Sequence, residues 1–260
     1  MKKQFDNTQP TSRKNQHKVW QVFEPGCMAY ADALALQHQL IRRRKSRVLG
    51  TDLLILLEHQ PVFTLGRRGG RENLKVSIDF LDKFGIPIIQ SERGGNITYH
   101  GPGQLVAYII MDLEASRRSV KDLVCQLEET MIRTSAFFGI TAVRNATNRG
   151  IWVGNSKMGS IGIAIRKGVT YHGLALNVNL SLEPFDWINP CGLNSVGVTS
   201  IQQESTMRSI TMALALQIFK DQFKDVFDSH LEPVSLFKLV EESSNMNEKR
   251  LLPPKKAACH

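Results

Sequence analysis

Apolar positions change between helical and strand spacing from about residue 19 to about residue 230, with no internal repeat and no low-complexity linker. Over 28–45, 120–131 and 210–223 the apolar residues recur at intervals of three and four, which predicts a helix in each segment. Uninterrupted apolar runs over 52–58 and 104–113 have the length of buried strands. This alternation predicts a single domain of the α/β (α+β) class.

Residues 157–180 predict a β-hairpin whose two faces differ in character. Isoleucines alternate with small residues in the first half, Arg166-Lys167-Gly168 is a turn signal, and Leu174 and Leu176 alternate with Gly173 and Ala175 in the second half. One face is therefore apolar, and the other carries only very small or amide side chains. Glycine in a strand often marks the close approach of a ligand or another backbone, so we expect something to lie on the small face.

The net charge of +9, from 33 basic and 24 acidic residues, at first suggests a nucleic-acid-binding protein. Most of the excess lies at the two ends of the chain, however, and the region between them is nearly neutral. We therefore predict a flexible basic tail over 1–18, one folded domain over 19–235 and a polar, basic tail over 236–260. No nucleic-acid partner is expected.

The hydropathy pattern argues against a membrane protein. The longest uninterrupted apolar run, Leu105 to Met111, is far shorter than the roughly 18 residues that a membrane-spanning helix requires. The N-terminal residues are basic but lead into a polar stretch, without the apolar core of a secretory signal. We expect a cytoplasmic protein that has no membrane contact.

Two glycine-rich segments could carry chemistry. The segment 93–104 combines four glycines with Arg, Thr, Tyr and His side chains directly before a predicted strand, which favours polar recognition beside a pocket. It contains neither common phosphate-binding motif, and turn formation alone is the alternative. The second segment, 66–71, is basic and predicts an exposed loop.

The basic cluster 42–45 lies at a predicted helix end, where positive charges interact favourably with the helix dipole. A docking patch for an acidic partner is the alternative.

Cys191 is the best candidate nucleophile. The four cysteines lie far apart with no Cys-x-x-Cys pair, which argues against a zinc site or a thioredoxin-type motif. Cys191 stands between Pro190 and Gly192, a sequence typical of a constrained turn. Because a free thiol is mostly protonated at neutral pH, a nucleophilic cysteine needs an adjacent base or cation, and Lys157 and His172 are the candidates. From these residues alone, an inert turn cysteine remains equally open.

Four segments together resemble the lipoyl(octanoyl) transferase family of lipoate biosynthesis. They are RGGNITYHGPGQ at 93–104, KMGSIG at 157–162, HGLALNVN at 172–179 and NPCG at 189–192, and they stand in the family's order. The resemblance covers about residues 20–230. It implies a single catalytic domain with a mixed β-sheet flanked by helices, related to the catalytic domain of biotin and lipoate–protein ligases. It also implies no cofactor, neither a metal nor ATP.

The resemblance further implies a reaction and its partners. An octanoyl group would move from octanoyl-acyl carrier protein to a lysine of the lipoyl domains of 2-oxoacid dehydrogenases or of the glycine-cleavage H protein, the first step of endogenous protein lipoylation. The enzyme is expected to act as a monomer.

The same resemblance assigns residues to the reaction. Cys191 would carry the acyl group as a thioester, and Lys157 would be its partner. A lysine can act as a base near neutral pH only when its pKa is lowered, so we expect Lys157 to be partly buried. The acyl-pocket residues implied by the family motifs are Arg93, Gly94, Gly95, Asn96, Ile97, Thr98, Tyr99, His100, Ser160, Ile161, Gly162, Gly173, Leu174 and Ala175.

Two other functions are compatible with the sequence. An ATP-dependent lipoate or biotin ligase could use the glycine-rich loop to form an acyl-adenylate, and it would not need Cys191. A non-catalytic module that binds lipoyl domains would keep its affinity when Cys191 and Lys157 are both replaced.

Overall fold

A computed structural model describes residues 18–189 and 196–240. The helices are α1 (Tyr30–Lys45), α2 (Ile78–Lys83), α3 (Val120–Phe137), α4 (Glu183–Asp186), α5 (Ile201–Glu204), α6 (Met212–Phe227) and α7 (Leu236–Val240), with a 3-10 turn at Arg71–Asn73. The strands are β1 (Lys18–Met28), β2 (Asp52–His59), β3 (Val62–Leu65), β4 (Ile88–Gln90), β5 (Ile97–His100), β6 (Gln104–Ile110), β7 (Val143–Arg144), β8 (Gly150–Val153), β9 (Ser156–Arg166), β10 (Val169–Asn177), β11 (Gly197–Val198) and β12 (Ser229–Pro233).

The described strands form one large mixed sheet and one small sheet. In the large sheet the order is β12-β1-β2-β6-β10-β9-β8-β7, and β11 pairs with β9 at its side. β1 runs parallel to both β12 and β2, whereas β2, β6, β10, β9 and β8 follow one another antiparallel. The small sheet has the order β4-β3-β5. The mixed sheet flanked by helices agrees with the fold predicted from the sequence.

Helices cover both faces of the large sheet, which explains why its central strands are apolar throughout. On β2, Leu54 and Leu56 face the core that α3 and α6 build, whereas Leu53, Ile55 and Leu57 face the core of α1 and α7. A strand buried on both faces has no polar positions to alternate with, so its sequence reads as a continuous apolar run.

Two of the predicted helices begin at well-formed caps. Ser119 and Asp122 form a reciprocal capping box at the start of α3, as its sequence predicts. The Thr211 side chain accepts a hydrogen bond from the backbone N–H of Leu214 at the start of α6. Each cap stabilises its helix by about 1 kcal/mol. Both helices therefore start where the sequence provides a hydroxyl acceptor for their unpaired N–H groups.

The basic cluster at the end of α1 is partly structural. Arg43 and Arg44 are buried, and the Arg44 guanidinium donates to Asp52 Oδ1 from Nη2 at 2.9 Å and from Nε at 3.1 Å. Asp52 is fully buried at the start of β2, where Lys18 also contacts it. Arg44 thus ties α1 to the sheet, and buried Arg43 donates from Nη1 to the carbonyl of Val240 on α7 at 3.4 Å, so two of the four positive charges considered as a docking patch are held within the fold.

The folded region continues past the predicted boundary at residue 235. The backbone N–H of Val234 donates to the carbonyl of Val22 at 2.9 Å, and Leu239 on α7 is buried in the core of α1. The predicted tails otherwise concern 1–17 and 241–260, which lie outside the described residues. Within 18–189 and 196–240, no helix has the length and apolar character needed to cross a membrane.

Candidate functional site

A cavity of about 610 Å³ opens between the hairpin β9–β10 and the loop that precedes β5. Lys157 and thirteen of the fourteen predicted pocket residues line it. The lining pocket residues are Arg93, Gly94, Gly95, Asn96, Ile97, Thr98, His100, Ser160, Ile161, Gly162, Gly173, Leu174 and Ala175. Tyr99 points elsewhere, because side chains alternate along β5, and it packs against Phe63 and Phe185 in a separate core.

The small face of the hairpin lets another backbone come close. Gly162 pairs with Gly173 across β9 and β10, and a β-carbon on Gly162 would lie 2.9 Å from the carbonyl oxygen of Gly94. The backbone N–H of Gly94 donates to the carbonyl of Ile163 at 3.2 Å. The loop at 93–95 therefore lies directly on the hairpin, as the glycine content predicted, and together they form one wall of the cavity.

Arg93 shapes the glycine-rich loop from within. Its guanidinium is buried and donates to the carbonyl oxygen of Thr64 at 2.6 Å, to the Thr64 hydroxyl at 2.8 Å and to the carbonyl oxygen of Gly94 at 3.0 Å. Because these oxygens lie on β3 and on the loop itself, the guanidinium joins the small sheet to the cavity wall. Its positive charge also acts on the histidines nearby.

Lys157 lies buried in the same cavity wall, with 7% of its surface exposed. Its Nζ donates to Oδ1 of Asn148 at 2.6 Å and lies 5.5 Å from the centre of the Trp152 ring. The expected burial of Lys157 is confirmed. Burial disfavours the ammonium form, whereas an amide oxygen and an aromatic face both favour it.

Cys191 lies outside the described residues, so its pairing with Lys157 stays a prediction. Backbone contacts hold the described residues on either side of 190–195 against the rest of the domain. On one side the backbone N–H of Asn189 donates to the carbonyl of Asn73 at 2.8 Å. On the other side β11 pairs with β9 in a register that sets Val198 beside Lys157.

Five aromatic and imidazole rings cluster in and behind another part of the cavity wall. They are Tyr30, His59, His100, Tyr108 and His172, and we call them the imidazole cluster. Tyr30 stacks on His100 and on His172, with interplanar angles of 14° for each pair. All but His59 line the cavity directly. The rings come from α1, β2, β5, β6 and β10, so only the tertiary fold brings them together.

Hydrogen bonds fix the tautomers of two of these histidines. His59 Nδ1 lies 2.9 Å from the carbonyl oxygen of Met28, which can only accept, so Nδ1 carries the proton and Nε2 accepts from the Tyr108 hydroxyl at 2.6 Å. His100 Nδ1 lies 2.6 Å from Oε1 of Gln104, whose amide nitrogen donates elsewhere, so this Nδ1 is also the donor. Both contacts satisfy a neutral imidazole.

Burial keeps the histidines of the imidazole cluster uncharged at neutral pH. Desolvation lowers the pKa of His59 to about 4, and desolvation together with the positive charge of Arg93 lowers the pKa of His172 to about 3. The pKa of His100 is likewise well below its usual value, chiefly through burial. Desolvation also raises the pKa of the Tyr108 hydroxyl. This wall is therefore polar in composition but neutral.

The two candidate bases predicted for Cys191 occupy different parts of the cavity. His172 pairs with Ile163 across the hairpin, and Ile163 lies six residues along β9 from Lys157. At roughly 3.3 Å per strand residue this separation is about 20 Å. His172 also has a φ of 56°, a left-handed conformation, and its backbone N–H donates to Oε1 of Gln37 at 2.7 Å. β11 pairs with β9 beside Lys157 and not beside His172.

Sequence reasoning did not identify the imidazole cluster or the contacts of Lys157. Tyr30 was recognised only as part of an apolar helix face, and His59 lies at the end of a buried run. Asn148 lies in the segment Asn-Ala-Thr-Asn-Arg-Gly, whose only sequence signal is that of a turn. Within 18–189 and 196–240, the structure has no group of three His, Cys, Asp or Glu side chains arranged to hold a metal ion.

Comparison with known proteins identifies relatives of the whole domain. A family model described as the lipoyl protein ligase A/B catalytic domain matches residues 29–224. An octanoyltransferase of Desulfotalea psychrophila is 51% identical over 182 residues, which are 69% of this chain and 82% of that protein. An octanoyltransferase of Maridesulfovibrio salexigens is 42% identical over 204 residues, 78% of this chain and 94% of that protein.

Solved structures show the same fold at much lower sequence identity. A bi-partite lipoate protein ligase from Thermoplasma acidophilum, studied with its E2 lipoyl domain, matches with a TM-score of 0.65 and 15% identity. The match covers 85% of this chain and 89% of that one. At this identity the likeness supports the fold and no more.

Proposed function

The chain belongs to the octanoyltransferases of the lipoyl protein ligase A/B catalytic-domain family, and we propose that it takes its octanoyl group from octanoyl-acyl carrier protein through a thioester on Cys191. Octanoyl transfer in protein lipoylation, an acyltransferase reaction, is the activity that its relatives support. The proposed acceptors are lysines of the lipoyl domains of 2-oxoacid dehydrogenases and of the glycine-cleavage H protein.

The proposed first step is thioester exchange. The Cys191 thiolate attacks the carbonyl carbon of the donor thioester, a new carbon–sulfur bond forms, and the donor's carbon–sulfur bond breaks. The released donor thiolate takes up a proton, for which the Lys157 ammonium is the source. A thiolate suits both roles, because it is a good nucleophile toward a thioester and a good leaving group afterwards.

The proposed second step forms the amide. The acceptor lysine amine attacks the acyl carbon on Cys191, and the Cys191 thiolate leaves. Lys157, now neutral, removes a proton from the attacking nitrogen and thereby returns to its ammonium form. The sum of both steps converts one thioester and one amine into one amide and one thiol, without ATP and without a redox change.

The observation that carries this proposal is the buried amine in the wall of the cavity. Lys157 is held at a defined acceptor, Asn148, inside the same cavity that the glycine-rich loop and the hairpin enclose. A buried amine with a hydrogen-bond acceptor can both donate and accept a proton near neutral pH, which the two steps require. Val198 on β11 pairs beside Lys157 and lies only seven residues after Cys191 in the chain, which supports an approach of the two groups.

The remainder of the cavity suits a fatty chain. Leu174, Ile161 and Val106 supply apolar surface, and the imidazole cluster contributes neutral rings in place of charges. Burying an alkyl chain is favoured by about 0.8 kcal/mol for each CH₂ group removed from water. A charged wall would offset that gain, so the neutral state of the histidines supports this use of the cavity.

Mass spectrometry of the intact protein tests the proposal. After incubation with octanoyl-acyl carrier protein, the protein should gain one octanoyl group, and hydroxylamine should remove it as expected for a thioester. Cys191→Ala should abolish the adduct, whereas the matched variant Cys125→Ala on α3 should retain it.

An adduct that persists in Cys191→Ala would overturn the thioester proposal. Release of pyrophosphate from ATP together with octanoate, unchanged in Cys191→Ala, would instead favour an adenylate-forming ligase. A protein that binds the lipoyl domain equally well with Cys191 and Lys157 replaced, and that transfers nothing, would be a binding module.

A further inference from the structure

The turn before β8 is fixed from inside by its own side chains. Oδ1 of Asn145 accepts from the backbone N–H of Thr147 at 3.0 Å and from the backbone N–H of Asn148 at 3.1 Å. An asparagine that bonds the backbone two and three residues ahead closes a tight turn. The position of the Asn148 backbone is therefore set locally, before any contact with the rest of the domain.

Contacts with the core hold both sides of Asn148. The Trp152 indole N–H donates to the carbonyl oxygen of Asn148 at 3.1 Å. On the other side, Oε1 of Glu128 accepts from the backbone N–H of Gly150 at 3.1 Å. Glu128 is fully buried on α3, and its second oxygen faces Arg144 at 3.4 Å and Arg149 at 3.8 Å. A buried carboxylate thus anchors the turn to the helix.

This anchored turn presents one side-chain oxygen to one amine. Asn148 Oδ1 accepts from Lys157 Nζ at 2.6 Å, and both residues line the cavity. Trp152 takes part twice, because its indole N–H holds the Asn148 backbone and its ring lies against the Lys157 amine. The same turn therefore fixes both the amide oxygen and the aromatic face that Lys157 contacts.

We propose that Asn148 is a positioning residue that orients the Lys157 amine and sets its pKa for the transfer reaction. The inference rests on the proposed function, in which Lys157 gives up a proton in the first step and takes one in the second.

The choice of an amide at residue 148 follows from the chemistry of a proton shuttle. A carboxylate this close would favour the ammonium form strongly, by about one to three pKa units, and would keep Lys157 from acting as a base at neutral pH. An apolar residue at 148 would remove this acceptor from a buried amine. The neutral amine would then be favoured, and the electrostatic attraction between Lys157 and the Cys191 thiolate would be weaker. An amide oxygen accepts a hydrogen bond without adding a charge, so it orients the amine and favours the ammonium form less strongly than a carboxylate does.

The pKa of Lys157 can be measured directly in Cys191→Ala protein, where the thiol no longer perturbs it. NMR titration of protein labelled with ¹⁵N and ¹³C lysine follows each amine, and loss of one signal in Lys157→Met identifies Lys157. We expect Asn148→Asp to raise the pKa of Lys157 by about one unit or more, and Asn148→Ala to lower it by about one unit.

Asn179→Ala is the control for removing an asparagine whose side-chain amide is hydrogen-bonded, here at an exposed position. Its amide donates to the carbonyl of Ile210 at 2.8 Å, and it does not line the cavity with Lys157. This variant should leave the Lys157 titration in place. Shifts of the same sign in Asn148→Asp and Asn148→Ala, or no shift in either, would overturn the inference. Should Asn148→Ala fail to fold, the isosteric Asn148→Asp decides the outcome alone.

Activity provides the second readout. Single-turnover transfer from preformed octanoyl-enzyme to a lipoyl domain needs neutral Lys157, so its rate rises with pH through the Lys157 pKa. Asn148→Asp should move this rise to higher pH, and Asn148→Ala should move it to lower pH while lowering the plateau about tenfold or more through lost orientation. A lower plateau with an unmoved profile would indicate a merely structural residue and would contradict the inference.

The two proposals fail in different ways. If the Lys157 pKa shifts as expected but Lys157→Met still transfers octanoate normally, the proposed role of Lys157 is wrong and the Asn148 contact stands. If Lys157→Met is inactive but neither Asn148 variant moves the pKa, the positioning role is wrong and the proposed function stands.

Discussion

Buried titratable side chains have opposite surroundings in the two halves of the cavity, which are the half around Lys157 and the half that contains the imidazole cluster. The neighbours of Lys157 include an amide oxygen and the face of an indole ring, both of which favour a positive charge on the amine. In the imidazole cluster, the contacts of His59 satisfy a neutral ring on both nitrogens. Burial lowers the pKa of lysine and histidine alike, so burial alone does not distinguish the two halves.

The difference between the halves lies in what each hydrogen-bond partner can offer. Asn148 Oδ1 can only accept, so the Lys157 amine has to donate. Met28 offers a carbonyl acceptor and the Tyr108 hydroxyl can donate, so both nitrogens of a neutral His59, the form that burial favours, are satisfied. One half thus retains a group that can exchange a proton, while the other keeps its imidazoles neutral. This division suits a cavity that runs an acyl transfer at one end and holds an alkyl chain along the other.

We expect the largest loss of activity when the Lys157 amine is removed. Lys157→Met keeps an unbranched side chain of similar length but removes the proton donor and acceptor. Loss of a general acid–base typically costs about 10²- to 10⁴-fold, and we expect a decrease of that size in single-turnover transfer to the lipoyl domain. Lys167→Met at the exposed turn of the hairpin is the control and should transfer normally. Transfer by Lys157→Met within a factor of about two of the unmodified chain would remove Lys157 from the reaction.

Lowering the pH tests whether the fold keeps the histidines of the imidazole cluster neutral. The pKa of His59 falls from 6.5 in the unfolded chain to about 4 in the folded one, so the unfolded chain binds more protons between these values. The stability from this group is therefore complete above pH 6.5 and is lost progressively as the pH falls toward 4. His172, with a pKa of about 3, acts in the same direction. Between pH 7 and pH 5 each histidine should cost on the order of 2 kcal/mol of unfolding free energy.

Denaturant titrations at pH 7 and pH 5 measure this loss. His59→Gln keeps a polar side chain but cannot take up a proton in this range, so the variant should lose less stability on acidification than the unmodified chain does. His230→Gln, at an exposed site on β12, should retain the full loss. If His59→Gln and the unmodified chain lose equal stability, the imidazole of His59 is not held neutral by the fold.

Sequence patterns predicted the parts of the cavity wall that are continuous in the chain. The hairpin and the helices follow from spacing alone, because each repeat is read within a few residues of itself. The close approach of the loop to Gly162 also follows, since a strand interior gives no other reason for glycine. Helix α1, by contrast, ends in Arg43 and Arg44, which are buried against Val240 on α7 and Asp52 on β2, so the docking patch that the sequence left as an alternative is half structural.

The imidazole cluster could not be predicted in the same way. Its rings come from five separate elements, and each ring alone has an ordinary local explanation, as Tyr30 does on the apolar face of α1. Only the sheet order β2-β6-β10 brings His59, Tyr108 and His172 together. Asn148 was overlooked for a related reason, since a turn asparagine needs no partner to explain it and the partner lies across the β8–β9 pair.

We expect the smallest effect from a change of charge at the cavity entrance. The acceptor and the proposed donor must bring their reactive groups to the Lys157 half, and acyl carrier proteins are acidic. Arg68 is exposed and lines the cavity, whereas Arg42 is exposed at the end of α1 and does not. If acidic partners approach along the cavity, Arg68→Ala should slow association with acyl carrier protein about threefold at low ionic strength, because a rim charge acts mainly on the association rate. Arg42→Ala should leave the rate unchanged.

Salt distinguishes steering from a packing contact at this entrance. Charges at an exposed rim are screened beyond about 8 Å at 0.15 M ionic strength and beyond about 3 Å at 1 M. Stopped-flow association at low salt and at 1 M salt should therefore show the Arg68→Ala defect only at low salt. A defect that persists at 1 M salt would mean that Arg68 packs against the partner. A larger defect in Arg42→Ala would move the docking surface to the end of α1, where Arg43 and Arg44 are already committed to the fold.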